Sequence, residues 1–526
     1  LTLALLLALP AAAQQRTAPP LDLRDYARAR AADAAGEPGL AAAGYARALT
    51  AVPGDQLLAM RAYRQGLAAG DYALATRAAA SLVAARTAPP DTDLLAFAVA
   101  LKGRDRLGAE KALERMSKAQ LDFIVPVLGA WLALDRGEDP LPLLDTAHGN
   151  ALASRFTGRH RALLLIATGK PDQGLLSLAA FSGTEDPADA RIDAGITLLR
   201  TGQVARADQL LGDLAGASKA WRKREAKGGK PDAAFGAAHV FLSLAADLSG
   251  EELAPLSILL TRAALLLDPQ EDRARLLLAD ALSRTDATGL ALQTLAEVRP
   301  DGPFARSATA GRVSALRRAG RLPEALADAK ALATAERASP QEIRAYGELL
   351  FQTGSYADAA EAYAHAQVRS GDESGWELYY LRGAALDRAG RWEEALPALQ
   401  RAVQLAPEEP EALTWLGNAQ VERGVDLPTA QALLERARKL KPGDPAITDS
   451  LGRAYYADGQ YGRALPLLEQ AVRADPGGMR PNEHLGDTYW KLGRRIEARY
   501  AWRAAEVSAE PGDVTRIQAK LANGLN

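Results

Sequence analysis

The sequence contains no cysteine, which excludes a disulfide framework, a thiolate metal site, a thiol nucleophile and a lipid anchor on cysteine. It has no excess of one charge either. Its 63 Lys and Arg residues stand against 65 Asp and Glu residues, for a net charge of −2. That balance denies it both the broad basic field of non-specific nucleic-acid binding and a self-repelling acidic tail. Aromatic residues make up only 6%, too few for sheets built on aromatic and β-branched side chains, whereas the abundant alanine suits helices packed at short distance.

Motifs of catalysis are missing too. There is no H-E-x-x-H, no G-x-S-x-G and no phosphate-binding G-x-x-x-x-G-K loop. Gly169-Lys170 is followed by Pro171 where such a loop requires Ser or Thr. His148, His160, His239, His365 and His484 fall in different segments at no ligand spacing, and read as surface or packing residues. Neither catalysis nor a cofactor nor a metal is expected.

The first residues pair a short apolar run, Leu1–Leu9, with Pro10 and Ala11-Ala12-Ala13. This is the pattern of a secretory signal cleaved after Ala13, with 14–21 as a linker, and the run is too short to span a bilayer. A periplasmic location is the expectation. An uncleaved N-terminal segment holding the protein at the inner membrane is the alternative.

The rest of the chain is periodic. Gly383, Gly417, Gly452 and Gly486 recur 34 or 35 residues apart. Ala395, Ala430, Ala464 and Ala498 keep the same phase, as do Ala402, Ala437, Ala471 and Ala505, and Pro407, Pro442 and Pro476. The one extra residue falls in the turn from Gly424 to Pro428. Each unit reads as two antiparallel helices. Tyr379, Leu381, Gly383 and Leu386 mark a first helix, Ala389-Gly390-Arg391 a turn, and Trp392, Ala395, Leu396, Leu399, Ala402 and Val403 a second. Glycine and alanine recur because helix axes about 8–10 Å apart leave no room for larger side chains.

These residues resemble the tetratricopeptide repeat (TPR) family, whose period is 34. The segment from Pro445 to Gly478 carries its pattern as Leu451-Gly452, Tyr455, Gly459, Tyr461, Ala464, Leu468, Ala471 and Pro476. The resemblance implies an all-α solenoid, its helix pairs stacked into a right-handed superhelix of about fourteen units. On this reading a divergent N-terminal array occupies 22–215, a basic loop 216–231, a C-terminal array 232–512 and a capping helix 513–526, together forming one quasi-continuous array. The last unit, with Asn482, Tyr489-Trp490 and Trp502, resembles the closing unit of exported bacterial repeat proteins of undefined role.

In the TPR family the first helices line a concave groove. Carried over, its positions give Tyr380, Arg388, Asn418, Asp449, Arg453, Tyr456, Arg480, Glu483, Asp487, Trp490 and Lys491. The resemblance thus implies a peptide-binding groove of mixed charge with aromatic anchors. Tyr456 and Trp490 equally suit packing against a neighbouring helix. Asn418 alone matches the clamp by which some members hold a terminal carboxylate, because Ala446 and Ser450 stand where basic residues are needed. Glu483 and Asp487 lie one turn apart, within expected reach of Arg494, Arg495 and Arg499.

The basic segment offers Arg222, Lys223 and Arg224 either as a solvated loop or as a peripheral contact with anionic membrane. The sum is a non-catalytic scaffold for protein partners in the bacterial cell envelope. A membrane-anchored assembly factor and the regulatory arm of an enzyme complex are the alternatives, and nucleic acid is not an expected partner. The phase of the repeats also makes a stability prediction. Ala464→Leu lowers stability by about 1–3 kcal/mol through overpacking, and a variant that melts with the parent in circular dichroism contradicts the phase.

Overall fold

The computed structural model describes residues 22–525 apart from 120–121, 147–150, 182–186, 213, 215 and 249. The expected export signal, the linker that follows it and His148 lie outside the described residues. Helix follows helix from Leu23 to Asn523, and no strand occurs among the described residues. The architecture is an all-α solenoid of helix pairs. Local sequence places the helix ends. Asp55, Asp71, Asp105 and Asp444 accept backbone N–H groups as N-caps, and proline opens the helices that start at Pro340, Pro410 and Pro445. Gly70 and Gly424 end helices in the left-handed region, at φ 79° and 63°.

The chain divides into two compact units, residues 1–325 and 326–526. The break expected at 216–231 is absent. That segment forms a helix, Lys219–Glu225, whose Trp221 is 1% exposed. The Ser218 hydroxyl donates to the Asp301 carbonyl at 2.8 Å, and Arg299 bridges Glu225 at 3.0 Å and Asp272 at 2.6 Å. A buried indole and a buried, paired carboxylate cannot belong to a free linker.

In the N-terminal unit, α1 (Gln56–Ala69), α2 (Thr92–Lys102), α3 (Val125–Asp135) and α4 (Ala151–Ala167) are first helices of successive pairs. Against them lie α5 (Ala233–Ala246), which touches α2, α3 and α4, and α6 (Ala254–Leu267), which touches α1 and α2. The sequence of α5 is apolar all round, and Ala233 and every residue from Phe235 to Ala245 are buried. Such a helix must be enclosed on all sides. Gly236 makes the enclosure possible, since a Cβ there would overlap the indole of Trp131. The Tyr72 hydroxyl donates to the Arg262 carbonyl at 2.8 Å, and Arg262 Nη2 donates to the Ala68 carbonyl at 2.5 Å, fastening α6 to the turn after α1. The expected continuous array therefore folds back on itself here. The surface of α1 to α4 that would face a ligand is covered by the chain's own helices.

The C-terminal unit is the regular one. Its last pairs are α7 (Trp376–Arg388) with α8 (Trp392–Leu405), α9 (Pro410–Arg423) with α10 (Leu427–Leu440), α11 (Pro445–Ala457) with α12 (Tyr461–Ala474), and α13 (Met479–Lys491) with α14 (Arg495–Val507), closed by α15 (Pro511–Asn523). The recurrent glycines sit where first helix meets second. A Cβ on Gly383 would lie 2.6 Å from Leu399, on Gly417 2.8 Å from Leu434, and on Gly452 2.6 Å from Leu468. On Gly486 it would overlap the ring of Trp502. Ala395, Ala430, Ala464 and Ala498 are fully buried in the same seams. The capping helix buries Ile517 against Ala498, Trp502 and Ala505, with Leu521 and Leu525 packed alongside.

Gly486→Ala tests this packing with the sign inverted. Alanine gains about 1 kcal/mol over glycine in a free helix, yet the rigid indole of Trp502 must shift to admit its Cβ. The expected outcome is a net loss of about 1–3 kcal/mol, read from chemical denaturation; a stabilised variant refutes the seam.

Candidate partner-binding groove

Four first helices, α7, α9, α11 and α13, present side chains to one groove in the C-terminal unit. Its first pocket, about 390 Å³, is lined by Tyr380, Arg388, Asn418 and Arg480 together with Asp387, Trp415 and Lys441. The second, about 460 Å³, is lined by Arg388, Arg453, Tyr456, Arg480, Glu483 and Asp487. Arg388, Glu422 and Arg480 belong to both, so the two are one continuous groove. Helical spacing explains the convergence, because residues four apart fall on one face of each first helix. The Tyr380 and Trp415 rings meet edge to face at 5.9 Å, and Trp415 Nε1 donates to Asp387 at 3.1 Å. Burial pushes the hydroxyls of Tyr380 and Tyr456 up to about 12, so both stay protonated donors. Asp449 stands behind the wall, 2.9 Å from His484 Nδ1. Trp415 and Lys441 were not expected in the groove. Trp415 lies three residues before the expected groove residue Asn418 in α9, and an indole on that helix face is the signal that could have found it.

The far end of the groove differs from the expectation. Glu483 and Asp487 pair not with Arg494, Arg495 or Arg499 but with the capping helix. Lys520 Nζ lies 2.6 Å from each carboxylate, and Arg516 also pairs with Glu483. Arg494 instead pairs with Glu497 at 3.1 Å, while Arg495 and Arg499 lie over the Trp490 ring at 5.2 and 5.7 Å. The reason is placement, since those arginines belong to the second helix of their pair and α15 takes the place of a next first helix. Trp490 leaves the groove for the same reason. Its Nε1 donates to the Leu525 carbonyl at 3.1 Å and its ring packs on Trp502 at 5.4 Å, anchoring the C-terminal turn. Lys491 is exposed and lines neither pocket.

Comparison with known proteins agrees with these repeats. Tetratricopeptide-repeat family models match residues 388–454 and 450–514. The repeats of the C-terminal unit are TPR repeats. It is similar to the TPR repeat-containing protein YpiA of Bacillus subtilis, 24% identical over 178 residues, which cover 34% of this chain and 41% of that relative. The chain thus spans about two fifths of the length of the curated relative it matches. Among solved structures it is similar to a tetratricopeptide repeat protein from Parabacteroides merdae, at 15% identity and a TM-score of 0.40, covering 47% of this chain and 96% of that one. A thermophilic TPR protein from Thermus thermophilus, at 20% identity and a TM-score of 0.31, covers 35% and 98% respectively.

A second charged cluster lies in the N-terminal unit and is closed. Asp193 Oδ2 is 2.5 Å from Arg159 Nη2, 3.3 Å from His239 Nδ1 and 3.7 Å from Arg273 Nη1, all buried. Burial alone would raise this carboxyl, but the charges of His239, Arg159 and Arg273 hold it well below the usual carboxylate range. His160 is fully buried, which lowers it far below the ordinary imidazole value, and it accepts the Trp131 indole N–H at 3.0 Å. Two histidines that look scattered in sequence are therefore both buried in this core, His239 against Asp193 and His160 against Trp131. Nearby, Arg222 and Arg224, expected as free cations for a membrane surface, are bound within the unit. Arg222 donates to Asp208 and to two backbone carbonyls, each at 2.8 or 2.9 Å, and Arg224 makes two bonds to Asp301, at 2.6 and 2.7 Å.

Glu271, buried beside this cluster, makes the pH prediction. Burial pushes its carboxyl up to about 7 from an ordinary value of 4.5. The folded state then holds the proton that the unfolded chain has lost, so stability falls as pH rises from about 4.5 to about 7. Glu271→Gln has no proton to lose. Urea unfolding of the two proteins across that range is expected to show the parent losing stability relative to the variant, and parallel curves contradict the assignment.

Proposed function

We propose that this protein is a non-catalytic scaffold of the bacterial cell envelope that holds an extended or helical segment of a protein partner in the groove of its C-terminal unit. One observation carries the reading. The last four first helices of the C-terminal unit keep a continuous open groove, while α1 to α4 of the N-terminal unit are covered by α5 and α6. Tyr380, Trp415 and Tyr456 supply rigid contact area at low entropic cost, and the arginines supply directional hydrogen bonds. Repeats that scaffold protein interactions in this way need no catalytic residue, only surface and spacing. The envelope assignment is supported by the signal pattern at 1–13, and sequencing the mature N-terminus separates a cleaved signal from a retained anchor.

Photo-cross-linking tests the groove. A benzophenone side chain at Ala446 or Ala457, both exposed on its wall, is expected to capture the same partner from envelope extract, and Tyr380→Ala is expected to weaken that capture. The same probe at Tyr500, 66% exposed on α14, is expected to capture nothing in common with them. Equal capture from all three positions moves the site elsewhere.

A further inference from the structure

Building on that reading, we infer that the segment held in the groove is acidic, and that Arg388, Lys441 and Arg480 select it. The argument follows which charges of the groove already have partners. Asp387 faces Arg423 Nη2 at 2.6 Å, Asp444 caps its own helix through Ala446 and Ile447 at 2.9 and 3.1 Å, and Glu422 faces Arg453 at 3.7 Å. Glu483 and Asp487 are neutralised by the capping helix. Glu411 is the carboxylate of the first pocket left without a cation among the described residues. On the other side, Lys441 and Arg480 meet no carboxylate among the described residues, and Arg388 meets only Tyr356, its guanidinium 5.2 Å from the ring centre and 3.2 Å from the hydroxyl. A chain with a net charge of −2 thus presents, in this groove, three available cations against one available carboxylate among the described residues.

Two further features fit a peptide. Thr414 Oγ1 and Asn418 Oδ1, one turn apart on α9 and lining the same pocket, are buried without hydrogen-bond partners. An acceptor in that state is completed by a donor such as a main-chain N–H. The Tyr380–Trp415 pair beside them offers an apolar contact. Three cations are fewer than the six to ten phosphate contacts, roughly, of a strong nucleic-acid site. The cations come from the end of α7, the turn before α11 and the start of α13, so recognition is spread along the groove and does not require a free C-terminus.

The test is a random-sequence peptide library selected on the immobilised full chain. Selected peptides are expected to be enriched in Asp and Glu, to bind more weakly as salt rises, and to lose about tenfold in affinity on the double variant Lys441→Glu, Arg480→Glu. Both positions are exposed, so the melting curve of that variant is expected to match the parent's. Neutral or basic peptides whose binding falls with Tyr380→Ala overturn the acidic preference and leave the groove reading standing. Selected peptides that bind equally well to the parent, Tyr380→Ala and the double variant overturn both. Tighter binding of a single-stranded oligothymidine than of any selected peptide overturns the peptide assignment in favour of nucleic acid.

Discussion

The close approach of paired helices is the constraint on which this protein depends. In each regular unit a glycine on the first helix receives a large side chain from the second, Leu399, Leu434, Leu468 or Trp502 in turn, and an adjacent buried alanine closes the seam. Dispersion and hydrophobic burial across such a seam stabilise the pair only while the backbones remain near contact distance. The same short distance holds each pair at a nearly constant orientation. Side chains on successive first helices therefore line up, and four helices form a groove that none of them forms alone.

What the chain does with that geometry differs between its two units. In the N-terminal unit α2, α3 and α4 meet α5, which is buried on every side, and the interior closes around an ionic cluster in which Asp193, Arg159, His239 and Arg273 compensate one another. Charges taken out of water must find partners of this kind. In the C-terminal unit no such helix lies over α7, α9, α11 and α13 among the described residues, so polar side chains remain available to a ligand. The capping helix sets the limit of the groove. By placing Lys520 and Arg516 on Glu483 and Asp487, it both ends the stack and removes the acidic part of the groove's field.

Much of the fold was legible in the sequence because the repeat is a local rule. The phase of Gly383, Gly417, Gly452 and Gly486 located the helix pairs, and the apolar face of Val514, Ile517, Leu521 and Leu525 located the capping helix, since helix periodicity and helix packing act over a few dozen residues. Most of the groove was legible for the same reason. Tyr380, Arg388, Asn418, Arg453, Tyr456 and Arg480 follow from repeat positions alone. Trp490, carried over in the same way, lies outside the groove, because α15 rather than a further first helix packs beside it and its indole turns onto Trp502 and the Leu525 carbonyl.

By itself, the sequence determined the helical class, the repeat frame, the seams and the list of side chains offered by each first helix. These depend on neighbours within a unit or in the next one. The tertiary structure alone decided that α5 and α6 return across α1 to α4, that Trp221 closes the segment around 216–231 into the N-terminal unit, and that, among the described residues, all but one of the groove's carboxylates are paired or cap a helix while three of its cations meet no carboxylate. Those outcomes join residues such as Tyr72 and Arg262, or Arg224 and Asp301, that are far apart in the chain. No local period encodes such pairings, since they arise only when burial and charge compensation are satisfied together in the folded unit.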